Sequence, residues 1–279
     1  MVTLPAVAIL GAGSMGGAIL SGLVAPGVSV DGGVRVTNRT ESKAAAIRSD
    51  AVASFSTESD PRANLAAVTG AKIVIAAVKP PMIPDLLREV GAALDPDAMV
   101  VSVAAGVTTR TMEALLPRSV GVLRAMPNTP ATVGMGVTGL SAGSRSTPEQ
   151  LALATTLFET VGTVVVVPED RIDALSAISG SGPAYVFHLI EQWTSTAVSM
   201  GFSAQDAATL VETTFRGASE LLAASGSTPE ELRRRVTSPN GTTERAIAVL
   251  EDADLKEIFD RAAAAALARS RELAAGGRD

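Results

Sequence analysis

A chain of 279 residues is long enough for one large domain or two ordinary ones, and its hydrophobic share of 47%, with few aromatic residues, suits close-packed helices and a parallel sheet. The formal net charge of −6 argues against nucleic acid and against an anionic membrane as partners. The absence of cysteine excludes disulfides and thiolate metal sites and fits a reducing cytoplasm, and we expect no bound metal.

The first feature along the chain is a predicted strand, glycine turn and helix. Val7–Leu10 is apolar, Gly11, Gly13 and Gly16 follow with GxGxxG spacing, and Ala18–Leu23 has the apolar character of a buried helix. We expect Gly11 and Gly13 to leave no side chain between backbone and ligand, and Gly16 to let the helix pack close to the strand. The first-turn amides of that helix point into the turn, which predicts a seat for the pyrophosphate of a dinucleotide.

Val34–Thr37 is the second predicted strand, and it ends in Asn38 and Arg39. In dinucleotide-binding folds this strand end, about 20 residues past the glycines, usually carries an acidic residue that holds the ribose hydroxyls of NAD. An amide and a guanidinium instead suit a 2′-phosphate, so the sequence favours NADP(H). The alternative is that Arg39 is a solvated surface residue and that Glu41, which opens a predicted helix over Glu41–Ser49, supplies the acid.

Strand and helix patterns then alternate, as in a parallel sheet covered by helices on both faces. The further predicted strands are Ile73–Val78, Met99–Val103, Val120–Ala125, Gly136–Leu140 and Thr163–Val167, with a helix over Pro148–Val161 between the last two. Ligands of such sheets lie beyond the carboxyl ends of the strands. The small residues Ala104, Ala105 and Gly106 follow one of these ends and leave room for a nicotinamide ribose. Lys79 follows another end and is either a cofactor contact or an ordinary surface cation.

Beyond Pro168 the strand pattern stops, and only helices are predicted. They cover Arg171–Ser179, Pro183–Met200, Ala204–Ala224, Pro229–Val236 and Thr243 to about Leu273, with a flexible joint at Ser179–Gly182. We therefore expect residues 1–168 to form a Rossmann domain, an α/β fold with a doubly wound, mostly parallel sheet. Residues 169–279 are expected to form an all-α second domain.

The hydroxyl-rich stretch from Thr237 to Thr243 runs into the last predicted helix. Successive amides at Asn240–Thr243 predict an anion seat of a size suited to a carboxylate. The alternative is a simple capping loop, in which Ser238 or Thr242 caps a helix.

The sequence offers no good proton donor for an alcohol substrate. Its one histidine, His188, lies in an apolar helix, and Lys256, the one lysine of the helical half, lies in a charged segment typical of a solvated helix face. An imine substrate removes the need for a donor, because its nitrogen can already carry the proton and the protein then has only to orient it and supply hydride. The hydroxyl of Thr243 is a candidate hydrogen-bond partner of that nitrogen.

Six motifs in this order resemble those of pyrroline-5-carboxylate reductases: GAGSMG, AVKP, SVAAGV, RAMPNTPA, SGSGPAY and VTSPNGTT. The resemblance spans nearly the whole chain. It implies reduction of 1-pyrroline-5-carboxylate to L-proline by NADPH, the last step of proline biosynthesis. We expect NADP(H) as the cofactor, with NAD(H) less preferred, and a cytoplasmic enzyme. The resemblance also implies that the helical domain forms a homodimer and that the dimers assemble into a homodecamer.

The resemblance also assigns roles to residues. It gives cofactor contacts to Gly11, Ala12, Gly13, Ser14, Met15, Gly16, Asn38, Arg39, Ala77, Val78, Lys79, Pro80, Val103, Ala104 and Ala105. It gives catalysis to Thr243, which faces the imine, and to Ser238, and substrate binding to Glu169, Ser238, Asn240, Gly241, Thr242 and Thr243. Asn240 departs from the family pattern, which often has glycine there, although Asn tolerates a left-handed backbone better than most residues.

Two other functions remain open at this stage. A hydroxyacid dehydrogenase of the same plan requires a catalytic Lys or His on the first long helix after the Rossmann domain, and that stretch offers only Ser181, Tyr185 and His188. A regulatory protein that binds NADP without turning anything over is the alternative from a different class.

Overall fold

The structure is a computed structural model and describes residues 1–274; residues 275–279, the end of the predicted second domain, lie outside the described residues. The strands are β1 (Val2–Leu4), β2 (Val7–Leu10), β3 (Val28–Val30), β4 (Val34–Asn38), β5 (Val52–Ser56), β6 (Ile73–Ala76), β7 (Met99–Ser102), β8 (Gly121–Met126), β9 (Gly136–Ala142) and β10 (Gly162–Val166). The α-helices are α1 (Ser14–Leu23), α2 (Glu41–Ile47), α3 (Ala63–Val68), α4 (Ile83–Val90), α5 (Thr109–Glu113), α6 (Pro148–Glu159), α7 (Ile172–Leu175), α8 (Gly182–Ser199), α9 (Ala204–Ser225), α10 (Pro229–Arg235), α11 (Thr242–Asp252) and α12 (Leu255–Ala274).

Eight strands form one sheet in the order β10-β9-β8-β7-β6-β2-β4-β5. All neighbouring pairs are parallel except β8 and β9, so β9 and β10 run opposite to the other six strands. The short strands β1 and β3 pair separately. The mostly parallel, doubly wound sheet confirms the predicted fold class of the N-terminal region.

Two apolar cores cover the two faces of this sheet. In β2, Val7 and Ile9 belong to one core, with α1 and α6, whereas Ala8 and Leu10 belong to the other, with α3 and α4. Successive strand residues point to opposite faces, so a strand buried on both sides must be apolar at every position. This burial explains the unbroken apolar runs in the sequence.

The described chain groups into two compact units. Met1–Ser181, together with the stretch from Ala266 onward, forms the first, and Gly182–Ala265 forms the second. The second unit consists of helices that leave most of their large apolar side chains exposed; its buried apolar residues are Ala197, Ala207 and Val211.

Two details of the helical region differ from expectation. The predicted flexible joint is helical: a π-helical turn covers Ser176–Gly180, and α8 begins two residues later at Gly182. The predicted single last helix is broken, because Asp254 adopts a left-handed backbone with φ of 44° between α11 and α12.

The segment from Glu169 to Gly180 packs against β9 and runs from the level of Arg124 on β8 to Asn128, just beyond the end of that strand. It starts after β10, which ends level with Ala125 of β8, and it packs Leu175 against Gly139 of β9 so closely that a Cβ there would lie 2.7 Å from Leu175 Cδ1. At its far end, Asn128 Nδ2 donates to Ser179 O at 2.9 Å, while Asn128 Oδ1 accepts from the amide of Val137 at 2.8 Å.

Candidate functional site

The glycine turn lies between the carboxyl end of β2 and α1. Gly11 has φ of 92°, a conformation that favours glycine, and the amides of Gly11 and Ala12 donate to the carbonyl of Thr37 at 3.1 and 3.0 Å. Gly13 is the N-cap of α1. These bonds tie the turn to the end of β4, so the residues that follow the two strands lie side by side.

The three motif glycines have different surroundings. A Cβ at Gly11 would lie 2.8 Å from Val78 Cγ1, and one at Gly16 would lie 2.6 Å from the carbonyl oxygen of Gly11. A Cβ at Gly13 would meet no protein atom within 4 Å. Gly11 and Gly16 are therefore required by packing, as expected for Gly16, whereas packing within the chain leaves room for a side chain at Gly13.

The end of β4 carries a buried amide and an exposed cation. Asn38 is buried, and its Nδ2 has no hydrogen-bond partner within the described residues. The side chain of Arg39 is 84% exposed, with Nε 3.7 Å from the Glu58 carboxylate. Glu41, the alternative ribose acid, instead pairs with Arg48 at 3.0 Å. A buried donor without a partner costs free energy unless a ligand accepts from it.

A cleft of about 490 Å³ connects these residues. It brings together many of the predicted cofactor residues, and its lining is Gly11, Ala12, Gly13, Asn38, Arg39, Thr40, Lys43, Ala77, Val78, Lys79 and Met82. The cleft contains the open space at Gly13, the unpartnered amide of Asn38 and three cationic side chains. These features fit an anionic dinucleotide. Among the described residues there is no cluster of three His, Asp or Glu that could hold a metal, and no helix long and apolar enough to cross a membrane.

The loop between β7 and α5 carries the predicted residues Val103, Ala104 and Ala105. The buried Ser102 accepts from the amide of Ala104 at 3.2 Å, and the amide of Val103 donates to Ala76 O at 3.1 Å. The loop therefore leaves the sheet beside the carboxyl end of β6, where Ala77 and Val78 line the cleft.

Glu169 lies in a network that the sequence did not reveal. Its Oε1 accepts from the Thr109 amide at 2.7 Å and its Oε2 from the Thr109 hydroxyl at 2.6 Å. Arg124, whose side chain is only 5% exposed, lies 3.9 Å from Glu169 and donates to Asp173 at 2.7 Å. Arg124 belongs to the RAMPNTPA motif, which was the one available signal; Thr109 and Asp173 carry none.

The predicted substrate residues from Ser238 to Thr243 lie in the second unit, before and at the start of α11. Asn240 has φ of 59°, so it adopts the left-handed backbone that the family's glycine suggested. The expectation of four free amides is wrong, because Asn240 N donates to Glu244 and Gly241 N donates to Ser238 O, at 2.8 and 3.0 Å. The amides of Thr242 and Thr243 make no hydrogen bond within the described residues.

The capping alternative for this loop is also wrong. Gly241 is the N-cap of α11 and makes no side-chain cap, so neither Ser238 nor Thr242 fills that role. His188 lies on the exposed surface of the second unit, 3.5 Å from Glu191, and Lys256 pairs with Asp260.

Comparisons with known proteins cover nearly the whole chain. A family model described as NADP oxidoreductase, coenzyme F420-dependent, matches residues 6–106, and one described as pyrroline-5-carboxylate reductase dimerisation matches residues 169–273. The chain is 37% identical to a pyrroline-5-carboxylate reductase of Corynebacterium melassecola, over 96% of this chain and 98% of that protein. It is 36% identical to one of Pseudomonas aeruginosa, over 97% of each.

Solved structures agree with these relatives. A pyrroline-5-carboxylate reductase of Coxiella burnetii superposes with a TM-score of 0.88 at 37% identity, over 96% of this chain and 97% of that one. A pyrroline carboxylate reductase of Plasmodium falciparum with NADP bound shares the fold, with a TM-score of 0.80 at 23% identity over 96% and 97% of the two chains.

Proposed function

The chain belongs to the pyrroline-5-carboxylate reductase family, and from this premise we propose that NADPH is its preferred reductant and that the cleft at the ends of β2 and β4 holds it. The chain is an oxidoreductase of proline biosynthesis that uses a reduced nicotinamide dinucleotide to reduce the cyclic imine 1-pyrroline-5-carboxylate to L-proline.

The observation that carries the NADPH proposal is the unpartnered, buried Nδ2 of Asn38 beside the exposed guanidinium of Arg39. An amide donor and a guanidinium together suit a ribose 2′-phosphate, and Glu41 is occupied by Arg48. The glycine turn and the first turn of α1 bind the pyrophosphate, with the open space at Gly13 on the ligand side. When bound, the cofactor supplies the hydride.

On the substrate side we assign the carboxylate to the amides of Thr242 and Thr243, which have no partner within the described residues. The Thr243 hydroxyl orients the imine nitrogen, and Ser238 supports the loop as its second hydroxyl. Because the iminium nitrogen already carries its proton, no side chain has to transfer one. Activity therefore does not depend on His188 or Lys256.

The second unit supplies the dimer, as its match to the dimerisation family indicates. Its exposed apolar residues need a partner surface. We further propose that dimers assemble into a homodecamer and that the enzyme acts in the cytoplasm, in keeping with a cysteine-free sequence.

The test is NADPH oxidation followed by its absorbance with purified protein and 1-pyrroline-5-carboxylate, repeated with NADH. We expect oxidation with both reductants and a higher kcat/KM with NADPH. An equal or higher kcat/KM with NADH would overturn the proposed preference, and cofactor binding without oxidation would identify a sensor instead.

A further inference from the structure

We propose that Glu169 is a positioning residue that fixes the loop between β7 and α5 through Thr109, and that it thereby sets the affinity for the dinucleotide. This inference rests on the proposed cofactor site, because that loop carries Val103, Ala104 and Ala105. It replaces the substrate contact that the family resemblance suggested for Glu169.

Both oxygens of the Glu169 carboxylate are engaged by Thr109. Each oxygen accepts a short hydrogen bond from a different donor of Thr109, the amide at 2.7 Å and the hydroxyl at 2.6 Å. Thr109 is itself buried. A carboxylate that turned away to bind a substrate would leave both of these donors without a partner, which costs free energy inside a protein.

The position of the Glu169 carboxylate is itself fixed by Arg124. Arg124, almost entirely buried on β8, lies 3.9 Å from one Glu169 oxygen and donates to Asp173 at 2.7 Å. One buried cation thus faces two carboxylates, and this arrangement holds the Glu169 carboxylate in place to accept both bonds.

The loop is consequently held at both ends. At its start, Ser102 and Ala76 accept from the amides of Ala104 and Val103, and at its end Thr109 is bound by Glu169. Between these anchors the chain turns through Gly106, with φ of 73°. Freeing one anchor lets the loop sample other conformations, and binding a dinucleotide then requires ordering it again.

The experiment compares Glu169→Gln, Thr109→Val and the double variant. Gln has a single acceptor oxygen for two Thr109 donors and turns an amide towards Arg124, whereas Val removes only the hydroxyl bond. NADPH dissociation constants are measured by fluorescence titration without substrate, and KM for 1-pyrroline-5-carboxylate and the melting temperature are measured alongside.

We expect each single variant to weaken NADPH binding by about three- to tenfold, as the loss of a charge-assisted hydrogen bond predicts. Because both substitutions act on one contact, the double variant should bind NADPH as tightly as the single variant with the lower affinity. Asp170→Asn is the matched control: it removes the same charge from the neighbouring, exposed residue and should leave NADPH affinity unchanged or slightly raised, since the ligand is an anion.

Three results would overturn the inference: a raised substrate KM confined to Glu169→Gln with unchanged NADPH affinity, additive effects in the double variant, or a lower melting temperature with unchanged affinity. Each of these leaves the proposed function intact provided that the unaltered enzyme binds and oxidises NADPH. Failure of the unaltered enzyme to bind NADPH would overturn both.

Discussion

Gly16 and Gly17 are neighbours in α1 with opposite surroundings. The Cβ position of Gly16 points at the Gly11 carbonyl, at 2.6 Å, whereas that of Gly17 has no atom within 4 Å. The carbonyl belongs to the backbone of the cofactor turn, so it can move only if the turn moves. Adding a methyl group at Gly16 therefore tests the geometry of the turn, whereas adding one at Gly17 tests only the helix propensity of the residue.

We predict that Gly16→Ala lowers stability by about 1–3 kcal/mol through overpacking and abolishes tight NADPH binding. The matched variant Gly17→Ala should keep NADPH affinity and gain up to about 1 kcal/mol from helix propensity. Chemical denaturation and NADPH titration measure the two effects. Equal behaviour of the two variants would contradict the assigned role of Gly16.

Arg39 lies almost wholly in solvent, where its paired Glu58 contributes little. Arg39→Ala should raise the dissociation constant of NADPH by about tenfold, the size expected for lost hydrogen bonds to a phosphate. The dissociation constant of NADH should change by less than about twofold. Dissociation constants for both reductants test this. A matching loss for NADH would mean that Arg39 does not read the 2′-phosphate.

Thr243→Ala should lower kcat by about 10- to 100-fold, as expected when a hydrogen bond to a charged group is lost, with NADPH affinity unchanged. Steady-state kinetics and NADPH titration separate the two quantities. Thr242→Ala removes the preceding hydroxyl of the same helix turn but keeps the backbone amide that we assign to the substrate carboxylate, so this control should retain most of the turnover. A large loss of NADPH binding in Thr243→Ala would assign this hydroxyl to the cofactor.

At the scale of elements, the sequence predicts what local pattern determines. Strand β2 and the strand over Met99–Ser102 follow from unbroken apolar runs, because both faces are buried. The short strands β1 and β3, and strand β5 with its two serines, have no unbroken apolar run and were not predicted. The break at Asp254 has no Gly or Pro to mark it.

In the candidate site, too, some features follow from the local sequence and others only from the fold. The glycine turn and the end of β4 are local and could be predicted from spacing. The bonds between Glu169 and Thr109 join residues far apart in the chain, and the unpartnered amide of Asn38 depends on what surrounds it in the fold. No periodicity or spacing encodes either property.

Lys72 joins the start of β6 to the segment before β7, at the edge of the sheet away from the cleft. It pairs with Asp97 at 2.6 Å and Asp95 at 3.2 Å. The hydrogen bond from Lys72 holds the pKa of Asp97 below its usual range, and the hydrogen bonds to Asp97 and then Asp95 raise the pKa of Lys72. Asp97 therefore stabilises the fold at neutral pH and loses that effect as pH falls through its lowered pKa, whereas Lys72 loses its effect only in strong alkali.

Lys72→Met should accordingly lower the melting temperature at neutral pH. The difference from the unaltered protein should shrink as pH falls below about 4, where carboxylates become protonated. Thermal melts across pH 3–8 measure it. A difference that stays constant over this range would show that charge pairing plays no part.

At the scale of the whole molecule, the second unit determines assembly. Phe187 on α8 has a side chain that is largely solvent-exposed within one chain, and Trp193 and Met200 on or next to the same helix are exposed as well. Because these exposed apolar residues lie on helices that match a dimerisation family, we propose that they form the surface that a second copy covers.

Phe187→Asp should therefore weaken the dimer, because it places a charge in a surface that becomes apolar and dry on association. Sedimentation equilibrium should detect monomer at concentrations where the unaltered enzyme is dimeric. Phe187→Leu keeps the apolar character and should remain dimeric. An unchanged association constant for Phe187→Asp would place the interface elsewhere on the unit.

The segment from Glu169 to Gly180, which packs against β9, behaves as a strut of set length. It is clamped to Arg124 near one end and to Asn128 near the other. Because each helical residue adds about 1.5 Å and 100° of rotation, inserting a single alanine within α7 would leave only one clamp in register. Natural insertions and deletions should therefore be absent from this strut, although surface loops elsewhere accept them freely.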